Sequence, residues 1–353
     1  MYIAVAIIAF GLLIAVHELG HFFAAKACGV KVNEFALGMG PPILKKQRGE
    51  TLYSLRLLPL GGYCAMEGED IGSPDPRSFN GRPVWMRLII LIAGSFMNFL
   101  LGLIIALLIF TQLSGFATNE VVGFAEGFPL QGSSGLMVGD EIIRIDGHRI
   151  FYASDFTTYM NRSGGETVDI TVRRDGSRVK LNDLPLTPRE YRNDDGTSSV
   201  RYGVSFDFIR ANAGDKVNYA FYETYNFVRS VWLGLTDLVK GAVGVRDLSG
   251  VVGIVDIISE TGEAAPTASI AMMNIAYIVA FIAVNLAVMN MLPIPALDGG
   301  RVFFLIITWL FETLTRKHVD PKYEGYIHKA GMALLFTLMA FLIVNDILRL
   351  VRG

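Results

Sequence analysis

Four apolar stretches constrain this chain more than anything else in it. Residues 2–25, 88–113, 269–292 and 330–347 each approach or exceed the roughly 20 apolar residues that a helix needs to cross the hydrocarbon core of a bilayer. In that core every backbone N–H and C=O must be satisfied without water, so an isolated spanning segment of this kind is a helix. Composition agrees, since 52% of residues are hydrophobic, only 18% are charged and mean hydropathy is +0.43. The expected fold class is an α-helical polytopic membrane protein with four transmembrane helices, and its first partner is the lipid bilayer. A net charge of −2 excludes nucleic acid, which calls for a strongly basic face.

Basic residues orient the bundle. Lys26, Lys31, Lys45, Lys46, Arg48, Arg56, Arg82 and Arg87 lie between the first two runs, and Arg301, Arg316, Lys317, Lys322 and Lys329 between the last two. Lys and Arg in short loops mark the cytoplasmic side, whereas long segments cross regardless of charge. Both termini and the segment 114–267 are therefore expected outside. The first run has no basic stretch ahead of it and carries a polar pentapeptide in its distal part, so it reads as a retained helix and not as a cleaved signal.

Seven segments follow: a first helix (1–26), a cytoplasmic-side, membrane-associated β region (27–84), a second helix (85–113), a β-rich extracytoplasmic domain (114–212), an amphipathic helix with its linker (213–268), a third helix with a short helix after it (269–315), and a loop with the fourth helix (316–353). In the β region, 32–37 and 51–58 read as short strands around the polar turn 45–50. Their flanks, Gly38-Met39-Gly40-Pro41-Pro42 and Leu58-Pro59-Leu60-Gly61-Gly62-Tyr63, are expected as non-helical backbone in a protein-lined part of the membrane. In the outer segment, strand-like runs alternate with turns at Asp146-Gly147 and Asp175-Gly176. The run from Gly135 to Gly147, GLMVGDEIIRIDG, resembles the core signature of PDZ domains, which take up an extended peptide as an added strand; 121–125 is the expected edge. Residues 216–243 read as an amphipathic helix on the outer membrane face. Two cysteines, Cys28 and Cys64, make no disulfide framework.

His17-Glu18-Leu19-Gly20-His21 puts two imidazoles one helical turn apart, where both can ligate one Zn²⁺ while Glu18 addresses a water as general base. Ionisable groups cost about 2.5–3.5 kcal/mol each at the centre of a membrane helix, so all three need a functional or pairing reason. Catalytic zinc takes three protein ligands and an open position. The third does not come from the next turns, because Ala24 and Ala27 stand where a metzincin has Gly and His. Asp298 is the best candidate, in Asn290-Met291-Leu292-Pro293-Ile294-Pro295-Ala296-Leu297-Asp298-Gly299-Gly300, where two prolines and two glycines break the third helix and turn a carboxylate inward. A turn cap is the alternative role for Asp298. Asn290 and Asn98 are candidates for contacting substrate or the oxyanion, with interhelical hydrogen bonding the alternative, above all for Asn98 between Gly94 and Gly102. His148, His318 and His328 lie outside the apolar runs and are expected at the surface. On these residues alone, a protease, a metal transporter and a peptide-capturing adaptor with a structural ion all remain open.

Several motifs together carry a family likeness: HELGHFF, the GGY of 61–63, SFNGRP ahead of the second run, AGSFMNF within it, the PDZ-like signature and NMLPIPALDGGR. With them the chain resembles the site-2 protease family of intramembrane zinc metalloproteases, in particular the bacterial regulator of sigma-E protease (RseP-like) group, with one PDZ-like domain. The resemblance implies His17, His21 and Asp298 as zinc ligands and Glu18 as general base. It further implies regulated intramembrane proteolysis in a bacterial inner membrane: cleavage of single-pass membrane proteins such as anti-sigma factors or signal-peptide remnants, with the active site toward the cytoplasm.

Overall fold

The computed structural model describes residues 2–69, 73–164, 166–192, 197–244, 250–317 and 322–352. In chain order these form α1 (Tyr2–Ala27), β1 (Val32–Arg48), β2 (Thr51–Met66), α2 (Val84–Phe110), β3 (Gly115–Phe124), β4 (Glu141–Ile145) and β5 (His148–Arg149). Then come α3 (Ala153–Arg162), β6 (Val168–Arg174), β7 (Ser177–Leu184), β8 (Arg189–Arg192), β9 (Ser198–Arg201) and β10 (Val204–Arg210). The remainder is helical: α4 (Ala213–Lys240), α5 (Val251–Ala264), α6 (Ala268–Asn290), α7 (Asp298–Thr315) and α8 (Lys322–Arg352). Two units result, 1–111 with 217–353, and 112–216.

In the first unit, α1, α2, α6 and residues 325–348 of α8 are long and apolar enough to cross a membrane, and the chain is a polytopic membrane protein. Its helix packing follows from small residues. The buried stripe of α2 runs Ile90, Gly94, Asn98, Gly102 and Ala106 at steps of four, which is one helix face. A Cβ on Gly20 would meet the Ala93 carbonyl oxygen at 2.3 Å, and one on Gly102 would meet Val284 Cγ2 at 2.7 Å. Bare glycine is what lets α1 and α6 approach α2 so closely, and lipid-embedded helices associate through such contacts because lipid gives them no hydrophobic drive. Leu13 and Ala6 pack with Ile258 of α5 and Ile275, Val279 and Ala283 of α6. Phe227 seats α4 on Ala280 and Val284 of α6, while Phe221, Tyr225 and Trp232 stay exposed.

The β1–β2 hairpin is longer than the two short strands expected. The Gly- and Pro-containing flanks are bends inside the strands, and residues 32–37 pair on one side with 51–55 and on the other with 62–66. Residues 44–48 add a further rung on 51–55, so one hairpin makes a four-rung sheet. Arg56 ties the bends together: its guanidinium donates to Glu34 Oε1 at 2.7 Å, to the Gly40 carbonyl at 2.6 Å and to the Tyr63 hydroxyl. The base of the sheet is anchored, with Val32 and Cys64 in one cluster with Ala25, Ile90 and Leu305.

The second unit is an antiparallel sheet in the order β10-β3-β4-β6-β7, with β5 on β4 and a separate β8–β9 ribbon. Val168, Ile170 and Val172 alternate inward along β6, and α3 covers the same core with Phe156, Tyr159 and Met160. Asp140, wholly buried, explains the GLMVGDEIIRIDG run: it accepts the Met137 N–H and a two-pronged bond from Arg174 of β6 at 2.7 and 2.8 Å. The sequence places the open edge at 121–125, but there the structure corrects it. Phe124, Gly123 and Val121 pair with β10, and Val121 also exchanges bonds with Gly139 and Asp140. The outer strand on this side of the sheet is β10.

Candidate metal centre

His17 and His21 stand one turn apart on α1, and the chain beyond α6 brings Asp298 to them. Pro293 and Pro295 cannot continue a helix, and Ala296 takes a left-handed backbone (φ 81°), so the helix is broken between α6 and α7. A Cβ on Gly299 would strike the Met291 carbonyl oxygen at 2.3 Å and one on Gly300 the Ile294 carbonyl oxygen at 2.2 Å. The two glycines thus let the head of α7 lie against the end of α6, with Asp298 as its first residue. Asp298 does not serve as the helix cap, which is Leu297.

The three side chains converge. Asp298 Oδ2 lies 3.1 Å from His17 Nε2 and 3.3 Å from His21 Nε2, and the two imidazole nitrogens are 3.2 Å apart. His21 donates its Nδ1–H to the Ile90 carbonyl at 2.8 Å, which leaves the Nε2 lone pair aimed into the triangle. Behind His17, the Asn98 carboxamide lies 3.5 Å from Nδ1, and Asn98 Oδ1 is buried without a partner. Turned over, the carboxamide would accept the His17 Nδ1–H through that oxygen and leave His17 Nε2 as a second lone pair. Three lone-pair atoms held about 3.2 Å apart in a poorly hydrated site repel one another unless a cation joins them. A tetrahedral zinc with bonds of about 2.0–2.1 Å sets its ligand atoms about 3.3 Å apart, so this donor set fits the ion. Asp298 Oδ2, buried and with no hydrogen-bond partner, fits as well.

The neighbours are close. A Cβ on Gly94 would meet His21 Nε2 at 2.3 Å, so α2 must be bare there for the imidazole to stand where it does. Gly62 of β2 lies so near Glu18 that an added Cβ would meet its Cγ at 3.0 Å. The hairpin therefore passes directly over the residue beside the triangle. Arg301, one turn after Asp298, pairs with Glu69 in the loop after β2.

The remaining sequence candidates divide. Asn98 points at His17, whereas half-buried Asn290, the last residue of α6, has no hydrogen bond to the triangle among the described residues. His148 is exposed and stacks on Tyr159. His318 lies outside the described residues. His328 corrects its expectation: it is half-buried on α8, and the Ala296 N–H donates to its Nδ1 at 3.1 Å. Gly94, Glu69 and His328 were not readable as site neighbours, because each acts through a backbone approach or a partner distant in the chain.

Comparison with known proteins gives the family. The profile of peptidase family M50 matches residues 5–338. A Clostridium acetobutylicum protein named as a zinc metalloprotease is 37% identical over 346 residues, covering 98% of this chain and 97% of the relative. The regulator of sigma-W protease RasP of Bacillus subtilis is 28% identical, covering 98% of this chain and 97% of its own. The metalloprotease MmpA of Caulobacter vibrioides is 26% identical, covering 96% and 93% respectively. The chain belongs to peptidase family M50, the site-2 protease family, and is a zinc metalloprotease.

Proposed function

We propose that this protease hydrolyses peptide bonds within or beside the transmembrane segments of single-pass membrane proteins, with zinc held by His17, His21 and Asp298 and with Glu18 as general base. One observation carries the reading: a triangle of side-chain atoms 3.1–3.3 Å on a side, two of whose corners stand on α1, a helix apolar enough to span a bilayer. When bound, zinc supplies Lewis acidity at the scissile carbonyl and makes a water acidic enough to attack near neutral pH. Glu18 takes the proton from the attacking water and hands it to the departing amine nitrogen. The Ile90 carbonyl, and the Asn98 carboxamide in its turned-over orientation, hold the two imidazoles in the tautomer that keeps each Nε2 free.

A substrate helix hides its peptide bonds in i to i−4 hydrogen bonds, so it must unwind before attack. The segment 62–66, paired on one side with 32–37 and touching Glu18 at Gly62, is suited to take the unwound stretch as an added strand. The unit 112–216 is read as a PDZ-like domain, and β10, flanked by α3 through a Phe156–Phe206 ring contact at 5.0 Å, is the edge suited to a peptide or to screening substrates by size. The distribution of Lys and Arg supports a bacterial inner membrane topology with termini and this domain outside and the metal toward the cytoplasm. Anti-sigma factors and signal-peptide remnants are the substrate classes the family likeness suggests.

The test is Glu18→Gln in the full chain with a single-pass transmembrane substrate. Cleavage falls by about 10²–10⁴-fold while zinc stays bound at wild-type stoichiometry. Undiminished cleavage sinks the proposal.

A further inference from the structure

The turn that delivers Asp298 has an unusual account of its own hydrogen bonds. Pro293 and Pro295 have no N–H to give. Leu292 donates to the Met289 carbonyl, Ile294 to Leu292 and Leu297 to Ile294, so these donors are satisfied within the turn or the helix before it. The Ala296 N–H goes elsewhere, to Nδ1 of His328 on α8. Ala296 is also the one residue of the turn in the left-handed region, where a side chain is strained and the conformation persists only if its surroundings enforce it. One turn further along α8, Gly331 meets the same turn so closely that an added Cβ would lie 2.5 Å from Pro295 Cβ. His328 also lies 6.1 Å, ring to ring, from Phe304 of α7, the helix that Asp298 begins. An imidazole that accepts at Nδ1 is neutral, with its proton on Nε2.

We propose that His328 is a positioning residue for the Asp298 carboxylate: it accepts the Ala296 N–H, holds that residue left-handed, and so fixes where the carboxylate meets His17 and His21. The proposal rests on the reading of Asp298 as a zinc ligand. It differs from a packing role in what it predicts. Losing the acceptor sets free a backbone N–H two residues before the ligand and relaxes the strained residue, so the metal is affected and not only the helix. Outer-shell partners of this kind cost about 10–100-fold in metal affinity when removed.

The experiment uses the full chain in detergent, with zinc affinity measured against a chromogenic chelator and the visible spectrum of the cobalt(II) form as a second readout. His328→Leu should weaken zinc at least about tenfold and alter the cobalt spectrum. Adding Ala296→Gly, which removes the cost of the left-handed backbone, should restore affinity to within about threefold. His328→Gln, whose carboxamide oxygen can accept the same N–H, should behave nearly as wild type. Wild-type affinity and spectrum in His328→Leu overturn the proposal, as does a double variant that recovers nothing. Should His328→Leu not fold, a folded His328→Gln that has lost zinc tenfold overturns it, and one that retains zinc upholds it. Asp298→Ala separates the two layers: if it binds zinc like wild type, the ligand assignment fails. If it loses zinc while His328→Leu keeps it, only the role of His328 fails.

Discussion

In the unit 112–216, Ile142, Ile145, Ile170 and Val172 are inside and Arg144, Arg149, Arg173 and Arg178 are outside. In the helical unit the same chemistry is turned around. Ile3, Ile8, Phe96 and Leu108 face outward, while His21, Ser95, Asn98 and Asp346 are buried. One unit is arranged for water and the other for lipid, and the difference shows in how each treats its buried polar groups. The β unit satisfies both carboxylate oxygens of Asp140 with Arg174. The helical unit sets two buried oxygens without hydrogen-bond partners, on Asn98 and Asp298, beside two imidazoles. In low dielectric an unsatisfied polar group is costly, so such a gathering marks a working site in a way that a satisfied ion pair does not.

Four changes test this contrast, and the first has the largest effect. His17→Ala removes one corner of the triangle and should lower zinc affinity by more than the roughly 10–100-fold an outer-shell partner costs, with helix content by circular dichroism unchanged. Arg174→Leu leaves Asp140 buried and unpaired, and should destabilise the β unit by about 3–5 kcal/mol in denaturant titration without altering zinc affinity. A zinc effect there would mean that the two units are not separable in this way.

Gly94→Ala probes the helix crossing, since its methyl would have to share space with His21 Nε2. Overpacking of this kind costs about 1–3 kcal/mol, and here it should shift the cobalt(II) spectrum as well as the melting temperature. The smallest effect lies outside the spans, at Glu67. Hydrogen bonds from Ser73 and Asn33, with Lys31 beside them, pull its carboxyl down to about 2. Its folded value lies below the roughly 4.3 of an unfolded chain, so its contribution is complete above that value. It is lost as pH falls from about 4 toward about 2. Glu67→Gln should flatten the melting temperature against pH across that window and leave neutral pH nearly unchanged.

How much of this was legible in the sequence depends on how local each feature is. The meeting of His17 with His21 was readable because i and i+4 need only a helix, and the break that brings Asp298 to them because prolines and glycines announce it. Lipid-facing helices were readable from length alone. The four-rung hairpin was not, since its double pairing of 32–37 depends on bends whose register no local pattern gives. The edge of the β unit was misplaced because strand order, not strand identity, decides which backbone stays unpaired. His328 escaped because its partner is a backbone N–H, and backbone donors look alike in a sequence.

The central claim, two imidazoles and one carboxylate on a single zinc, is tested most directly by zinc-edge X-ray absorption on the loaded wild-type chain beside Asp298→Ala. The account predicts nitrogen and oxygen neighbours at about 2.0–2.2 Å and no sulfur in the wild type, with one oxygen lost or replaced in the variant. A sulfur neighbour at about 2.3 Å, or identical spectra for the two proteins, would contradict it.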